Sequence, residues 1–255
     1  MLFSLPGIVL DKIKCNEIDY LIDLLTPRGK LRVIAKGAQK SKRRFVNLLE
    51  DLTSFRAHLR KPKRGKIPIL ESADPLYIPE SPRFDLAKYY FFSYVAEVLT
   101  LTSLSPLRRE DFWFLTEFIK DVDRLPWENY YKIFFELKWL YINGFGPHLD
   151  SCVRCHEKPR RIFYFSIPSG GLLCINCRDG QSRLLTSSQI DLLREMAKID
   201  NLESMKNLIR GFSLDEERVL SALIEAFFLY YLDWEPRSLP FLKDRQGITV
   251  YGGNP

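Results

Sequence analysis

The sequence predicts an α+β protein: a small five-stranded barrel, followed by a bundle of helices with a four-cysteine metal module inserted in it. Three observations carry this. The first 80 residues hold short strand-like runs separated by turn signals. From Ser81 to about Trp234, apolar residues recur at helical spacing behind proline and capping signals. Inside that helical stretch, two Cys-x-x-Cys pairs stand 18 residues apart.

The first three strands are GIVLDKI, YLIDLLT and KLRVIAK. Thr26-Pro27-Arg28-Gly29 supplies the turn between the second and third. A Gly-led basic loop, GAQKSKRR, comes next. Two more strands are expected near residues 52–59 and 66–73, joined by RKPKRGK. Five short strands fit a closed or partly open barrel, and periodicity does not choose between barrel types. DPLYIPESPR, with three prolines, reads as a linker.

Ser81-Pro82 offers an N-cap and a first-turn proline for a helix to about Thr102. Ser105-Pro106 repeats the device, with Phe112, Leu115 and Ile119 on one face. A third helix begins near Pro126, presents Tyr130, Ile133, Phe134, Leu137, Leu140 and Tyr141, and stops at Asn143-Gly144. Capping boxes at Thr186/Gln189 and Ser213/Glu216 open two more helices, the last stopped by Pro236. The expected parts are 1–80 (barrel), 81–147 (helices), 148–180 (cysteine module), 181–240 (helices) and a poorly ordered tail, 241–255.

Cys152, Cys155, Cys174 and Cys177 make the spacing C-x2-C-x18-C-x2-C, which matches four-thiolate zinc sites. IFYFS and the turn residues Pro168, Gly170 and Gly171 allow the intervening chain to go out and return as a hairpin. A closed thiolate shell leaves no position for water, so the Zn2+ is expected to be structural. His156, beside Cys155, is the alternative ligand and otherwise a surface residue. His58 and His148 have no partner at metal spacing, and Cys15 reads as a half-buried residue beside a strand.

With 46% apolar and 13% aromatic residues the chain can build a real core. Its N-terminus lacks a basic leader, and its longest apolar run contains Lys88 and Glu97, so neither a signal peptide nor a membrane span is expected. A cytoplasmic location follows, where paired cysteines bind metal rather than oxidise. There is no Walker A loop, HExxH, GxSxG or GxGxxG. Asp121, Asp123 and the run Asp215–Glu217 sit at helix ends, where negative charge suits the helix dipole or the solvent. A binding protein is expected rather than an enzyme.

The net charge of +6 is uneven. The first 80 residues hold sixteen Lys/Arg against nine Asp/Glu, and the rest is nearly balanced. Lys36, Lys40, Lys42, Arg43 and Arg44 form one cluster; Arg60, Lys61, Lys63, Arg64 and Lys66 form another. Both occupy turns between strands, where loop cations can track phosphates. Phe45 and Phe55 are the aromatics that could meet bases, or else core residues. The binding expected is backbone-dominated and weakly sequence-specific.

The opening GIVLDKIKCNEIDYLIDLLTPRGKLRVIAKGAQKSKRR, the FELKWLYINGFGPHLDSCVRC stretch and the FSIPSGGLLCINC return together resemble the bacterial RecO family of DNA repair proteins over about residues 1–235. The resemblance implies an N-terminal OB-fold and a helical bundle holding a zinc module at Cys152, Cys155, Cys174 and Cys177. It implies binding of single- and double-stranded DNA and annealing of complementary strands. The implied partners are RecR, the C-terminal tail of single-strand binding protein and, indirectly, RecA. Some members lack these cysteines, so the metal is not the family's activity. The rival reading is a zinc-ribbon RNA-binding or transcription-associated protein.

Overall fold

A computed structural model of the chain describes residues 2–41, 44–62, 65–103, 106–158 and 162–245. The chain divides into two compact units, Met1–Trp127 with Pro236–Pro255, and Glu128–Glu235.

The first unit is built on a closed barrel of β1 (Leu2–Lys14), β2 (Tyr20–Thr26), β3 (Gly29–Ala35), β4 (Ser54–Arg60) and β5 (Ile69–Tyr77), in the order β1-β2-β3-β5-β4. β3 and β5 run parallel and every other pair is antiparallel, the topology of an OB-fold. β1 serves two neighbours. Leu2–Ile8 pairs with β4 and Ile8–Lys14 with β2, and the register shifts between Val9 and Asp11. The expected turn closes β2–β3: Thr26 Oγ1 donates to Gly29 O (2.7 Å) and Gly29 sits at φ 93°, a conformation that a glycine takes without steric cost.

Alternate residues fill the barrel: Val9, Ile22, Leu24, Val33, Ala35, Phe55, Ala57, Leu59 and Leu70. Phe45 and Phe55 are both buried there, so neither stacks on a base from the surface. The chain between β3 and β4 is more than a loop. Ala38, Phe45, Leu48 and Leu49 join the same core cluster, and Leu52 N donates to Val9 O (2.8 Å).

A 3-10 turn at Ser81–Arg83 precedes α1 (Leu86–Thr102). The helix proper therefore starts five residues after the expected Ser81 cap, because Asp85 caps it by accepting from Ala87 N and Lys88 N. α2 (Arg109–Arg124) has no side-chain N-cap bond. The expected cap residue Ser105 lies outside the described residues. Asp123, seen in the sequence only as a helix-end acid, clamps the linker. It accepts from Tyr77 OH (2.6 Å), Ser81 N (2.8 Å) and Glu80 N (3.1 Å). Burial opposes its charge, but these donors hold the carboxyl below its ordinary range.

In the second unit, α3 (Tyr130–Ile142) is buried from Tyr130 to Leu140. It packs on α4 (Ser187–Lys198) and α6 (Leu214–Leu232), and α5 (Leu202–Ile209) packs on α4. α3 begins at Tyr130, four residues past the expected Pro126. Both capping boxes form as the sequence reads. A sheet ordered β7-β6-β8 holds β6 (Phe163–Ser166), β7 (Gly171–Leu173) and β8 (Arg183–Leu185). Phe165 meets Phe227 of α6 edge-on at 5.3 Å.

After Pro236 the chain forms α7 (Leu239–Arg245), where no element was expected. Glu97 of α1 accepts from Arg237 N and Ser238 N at 3.0 and 2.9 Å, and Tyr90 stacks on Phe241. The rest of the tail, 246–255, lies outside the described residues. Among the described residues no helix is long and apolar enough to cross a membrane.

Candidate functional site

The four cysteines converge. Their Sγ atoms all lie within 4.8 Å of one another, and Cys155 Sγ is 3.6 Å from Cys174 Sγ. Two tight turns aim them. In the first, His156 N donates to Cys152 O (2.9 Å) and Cys152 N to Glu157 O (2.8 Å), with His156 at φ 62°. In the second, Cys177 N donates to Cys174 O (3.1 Å). β6 and β7 form the hairpin between them, with Ser166 paired to Gly171.

Backbone ties set the distance between the two turns. Leu172 N donates to His148 O (3.0 Å), His148 N to Gly170 O (2.9 Å) and Val153 N to Leu172 O (2.8 Å). This approach demands glycine: a Cβ on Gly171 would lie 2.3 Å from His148 O. Side chains finish the lock. Arg154 donates to Cys177 O (2.9 Å) and pairs with Asp179 (3.3 Å), which also accepts from Ser166 Oγ (3.0 Å).

The thiols do not behave alike. Burial raises the Cys152 thiol, but the backbone N–H groups of Cys155, Cys174 and Arg154 outweigh it and bring the thiol down to about 6. Hydrogen bonding with the Cys174 and Cys155 thiols, together with burial, pushes Cys177 up to about 12. Crowded sulfurs resist carrying several negative charges unless a cation compensates them, and this donor set fits a thiophilic ion. Cys152 and Cys174 are buried and Cys155 is exposed. His156 and His148 are exposed and outside the cluster. Cys15 is exposed rather than half-buried, because it lies past the end of β1.

The described lysines of the two basic segments lie in connections between barrel strands. Ile34, near the end of β3, pairs with Ile69 at the start of β5, and Ile34 N donates to Pro68 O (2.9 Å). Lys36 and Lys40 follow the end of β3, Lys61 follows the end of β4, and Lys66 lies three residues before β5. These four lysines are exposed. The β1–β2 loop braces the chain that leaves β3. Asp19 accepts from Gly37 N (2.7 Å), and Gln39 N donates to Ile18 O (3.1 Å). Asn16 and Gly37 together hold the Asp19 carboxyl below its ordinary range.

Two expected contact residues have structural duties. Arg44 donates to Lys36 O and lies over the Phe45 ring at 4.7 Å. Arg60 pairs with Glu71 of the neighbouring strand at 2.5 Å. Lys42, Arg43, Lys63 and Arg64 lie outside the described residues. On the outer wall, Ser4, His58 and Asp74 are linked in line at 2.9 and 2.7 Å. The Asp74 side chain is 68% exposed, so the row is a solvated cross-strand tie rather than a shielded nucleophile.

The family comparisons agree with this architecture. Residues 1–78 match the model described as Recombination protein O N terminal, and residues 83–240 match Recombination protein O C terminal. The chain is 28% identical over 252 residues to the DNA repair protein RecO of Syntrophus aciditrophicus (strain SB), covering 96% of each. It is 28% identical over 260 residues to that of Thermoanaerobacter sp. (strain X514), covering 97% of this chain and 99% of the relative. To that of Anaeromyxobacter sp. (strain K) it is 33% identical over 188 residues, covering 71% and 73%. A closed five-stranded barrel, a helical unit bearing four clustered cysteines, and matches to both halves of one family place the chain in the RecO family of DNA repair and recombination proteins.

Proposed function

We propose that the protein is a non-catalytic DNA-binding recombination mediator of the cytoplasm and nucleoid. It binds single- and double-stranded DNA through the barrel, anneals complementary strands and acts on DNA coated by single-strand binding protein. The observation that supports the reading is the exposure of Lys36 and Lys40 after β3 and of Lys61 and Lys66 between β4 and β5, two connections of one closed barrel. Exposed lysines suit phosphates and carry no base code. Lys36, Lys40, Lys61 and Lys66 are the primary contacts, extended by Lys42, Arg43, Lys63 and Arg64; Arg44 and Arg60 contribute field while bracing the fold.

The helical parts, 81–147 and 181–240, receive the acidic-hydrophobic tail of single-strand binding protein. RecR is the partner through which RecA is loaded at gaps. The resemblance to the family supports both assignments. The module at 148–180 holds Zn2+ with Cys152, Cys155, Cys174 and Cys177. Zinc–sulfur bonds of about 2.3 Å give a tetrahedral sulfur–sulfur edge of about 3.8 Å, near the 3.6 Å between Cys155 and Cys174. Four thiolates close the shell, so the ion clamps the two turns and takes no part in chemistry.

The test is a titration of Lys40→Ala with Lys66→Ala on two unrelated oligonucleotides at several salt concentrations. Each phosphate contact on a single strand contributes about 0.7 to the slope of log affinity against log salt, so the double variant should lose about 1.4. Both sequences should weaken alike. Wild-type affinity and slope in a folded variant would remove these barrel connections as the binding face.

A further inference from the structure

An oxidant does not meet the four clustered thiols alike. Cys155 is exposed and Cys177 half-buried, whereas Cys152 and Cys174 are 0% and 2% exposed. The exposed thiol is also in sulfur contact: Cys155 Sγ stands 3.6 Å from Cys174 Sγ, on the other turn and 19 residues away in sequence. A disulfide of about 2.05 Å is therefore only about 1.5 Å of side-chain approach away. Cys15 is exposed too, but lies outside the cluster.

The frame around the sulfurs does not depend on them. Val153 N donates to Leu172 O (2.8 Å), and Leu172 N to His148 O (3.0 Å). Arg154 donates to Cys177 O (2.9 Å) and pairs with Asp179. These bonds tie the first turn to β7 and to the second turn, and none uses an Sγ atom. A covalent link from Cys155 to Cys174 spans the same gap as a shared ion.

We infer that the module is an oxidant-responsive switch, in which peroxide converts Cys155 and Cys174 into a disulfide that replaces the ion as the clamp. The inference rests on the reading of the cluster as a zinc site. The Cys155 thiolate attacks one peroxide oxygen, the O–O bond breaks, and hydroxide leaves behind a sulfenic acid. The Cys174 thiolate then attacks the Cys155 sulfur, the S–O bond breaks, and a second hydroxide leaves. The two sulfurs have given up two electrons, which the peroxide has taken, and two solvent protons turn the hydroxides into water. The bridge consumes two of the four ligands, and the remaining pair does not hold the ion. A dithiol reverses the bridge by exchange, so reducing conditions return the four-thiolate shell.

The experiment uses the full zinc-loaded chain and hydrogen peroxide. A chromogenic chelator follows the metal, and mass spectrometry of unreduced peptides maps the bridges. About one zinc should be released for each Cys155–Cys174 bridge formed, and dithiothreitol with added zinc should restore the starting state. Dimedone, which traps sulfenic acids, should label Cys155 before any other cysteine of the cluster. The oxidised protein should keep the Val153 and Leu172 amides protected from exchange, while chelated, reduced protein should not. A bridge confined to one turn (Cys152–Cys155 or Cys174–Cys177), first labelling at Cys177, or zinc release without a bridge would overturn the inference. Zinc bound but no Cys155–Cys174 bridge sinks the switch alone. No zinc in freshly purified, chelator-free protein sinks the zinc reading, and the switch with it.

Discussion

Lys132→Met removes the centre of a buried charge cluster in the second unit. Lys132 Nζ lies 2.8 Å from Glu136 on its own helix, α3, and 2.8 Å from Glu225 on α6. The Lys132 and Glu136 side chains are 1% and 0% exposed. Burial works against the ammonium, yet the two carboxylates outweigh it and raise its pKa. Its stabilisation is therefore complete below the ordinary lysine value and fades only as pH rises through the raised one. At neutral pH all of it is present. Methionine keeps most of the stem and removes the charge, leaving the buried Glu136 carboxylate and the largely buried Glu225 carboxylate without their shared cation. Breaking a buried ion pair in this way costs about 3–5 kcal/mol. For a unit near a hundred residues, each kcal/mol moves the melting point by about 4 °C, so a fall of about 12–20 °C is expected.

The deficit should depend on pH. In the variant the buried carboxylates hold protons more tightly than in the unfolded chain. The folded state then binds more protons than the unfolded one, and stability falls as pH rises above the usual carboxylate range. Urea unfolding of Lys132→Met at pH 5 and pH 8, followed by circular dichroism, measures this. The loss should be greater at pH 8. Adding Glu136→Leu and Glu225→Leu should recover most of it, since replacing a whole buried ion cluster by apolar residues is close to neutral. A loss below about 1 kcal/mol at pH 8, or one independent of pH, would refute the reasoning that desolvation dominates this site.

Elemental analysis of chelator-free protein should find about one zinc per chain, and Cys152→Ser with Cys155→Ser should abolish it, because half of a four-thiolate shell does not hold the ion. Chelation should loosen the second unit, detected as faster amide exchange in residues 148–180, while the barrel's melting is unchanged. Gly171→Ala should cost about 1–3 kcal/mol and weaken metal retention, since its Cβ would meet His148 O at 2.3 Å. Asp23 is 1% exposed and holds Arg32 at 2.6 Å and Lys30 at 2.9 Å. Arg32 first, then Lys30, keep its carboxyl below the ordinary range despite burial. Its contribution is present above the unfolded carboxylate value and is lost as pH falls through the folded one. Asp23→Asn should destabilise the barrel by about 1–3 kcal/mol at pH 7, with a flatter stability profile under acid, as read by denaturant titrations.

Much of the fold was legible because its signals are local. Alternation marks strands, a capping box marks the first turn of a helix, and Pro27–Arg28 before Gly29 marks a hairpin. The misses were also local rules outcompeted by neighbours. Ser81-Pro82 reads as a helix start, but Asp85 offers a better cap four residues on. α7 reads as tail, because the Glu97 carboxylate that receives Arg237 N and Ser238 N is 140 residues away in sequence. Phe45 reads equally as a base-stacking residue or a core residue, and only the closing of the barrel buries it.

The sequence by itself marked the four cysteines as one group, since two Cys-x-x-Cys turns fix which atoms are offered. It also determined where the cationic excess lies along the chain. Tertiary structure alone decided how those pieces meet. The parallel β3–β5 pair joins the strand before one basic segment to the strand after the other, and long-range pairing leaves no trace in local sequence pattern. The close pass of His148 over Gly171 sets the spacing of the two cysteine turns. The same pairing logic separates Lys40 and Lys66, which face solvent, from Arg44 and Arg60, whose charges are committed to Lys36 O and Glu71. A cation's availability depends on what stands within about 3 Å of it, and for these residues that is set by contacts across strands and loops.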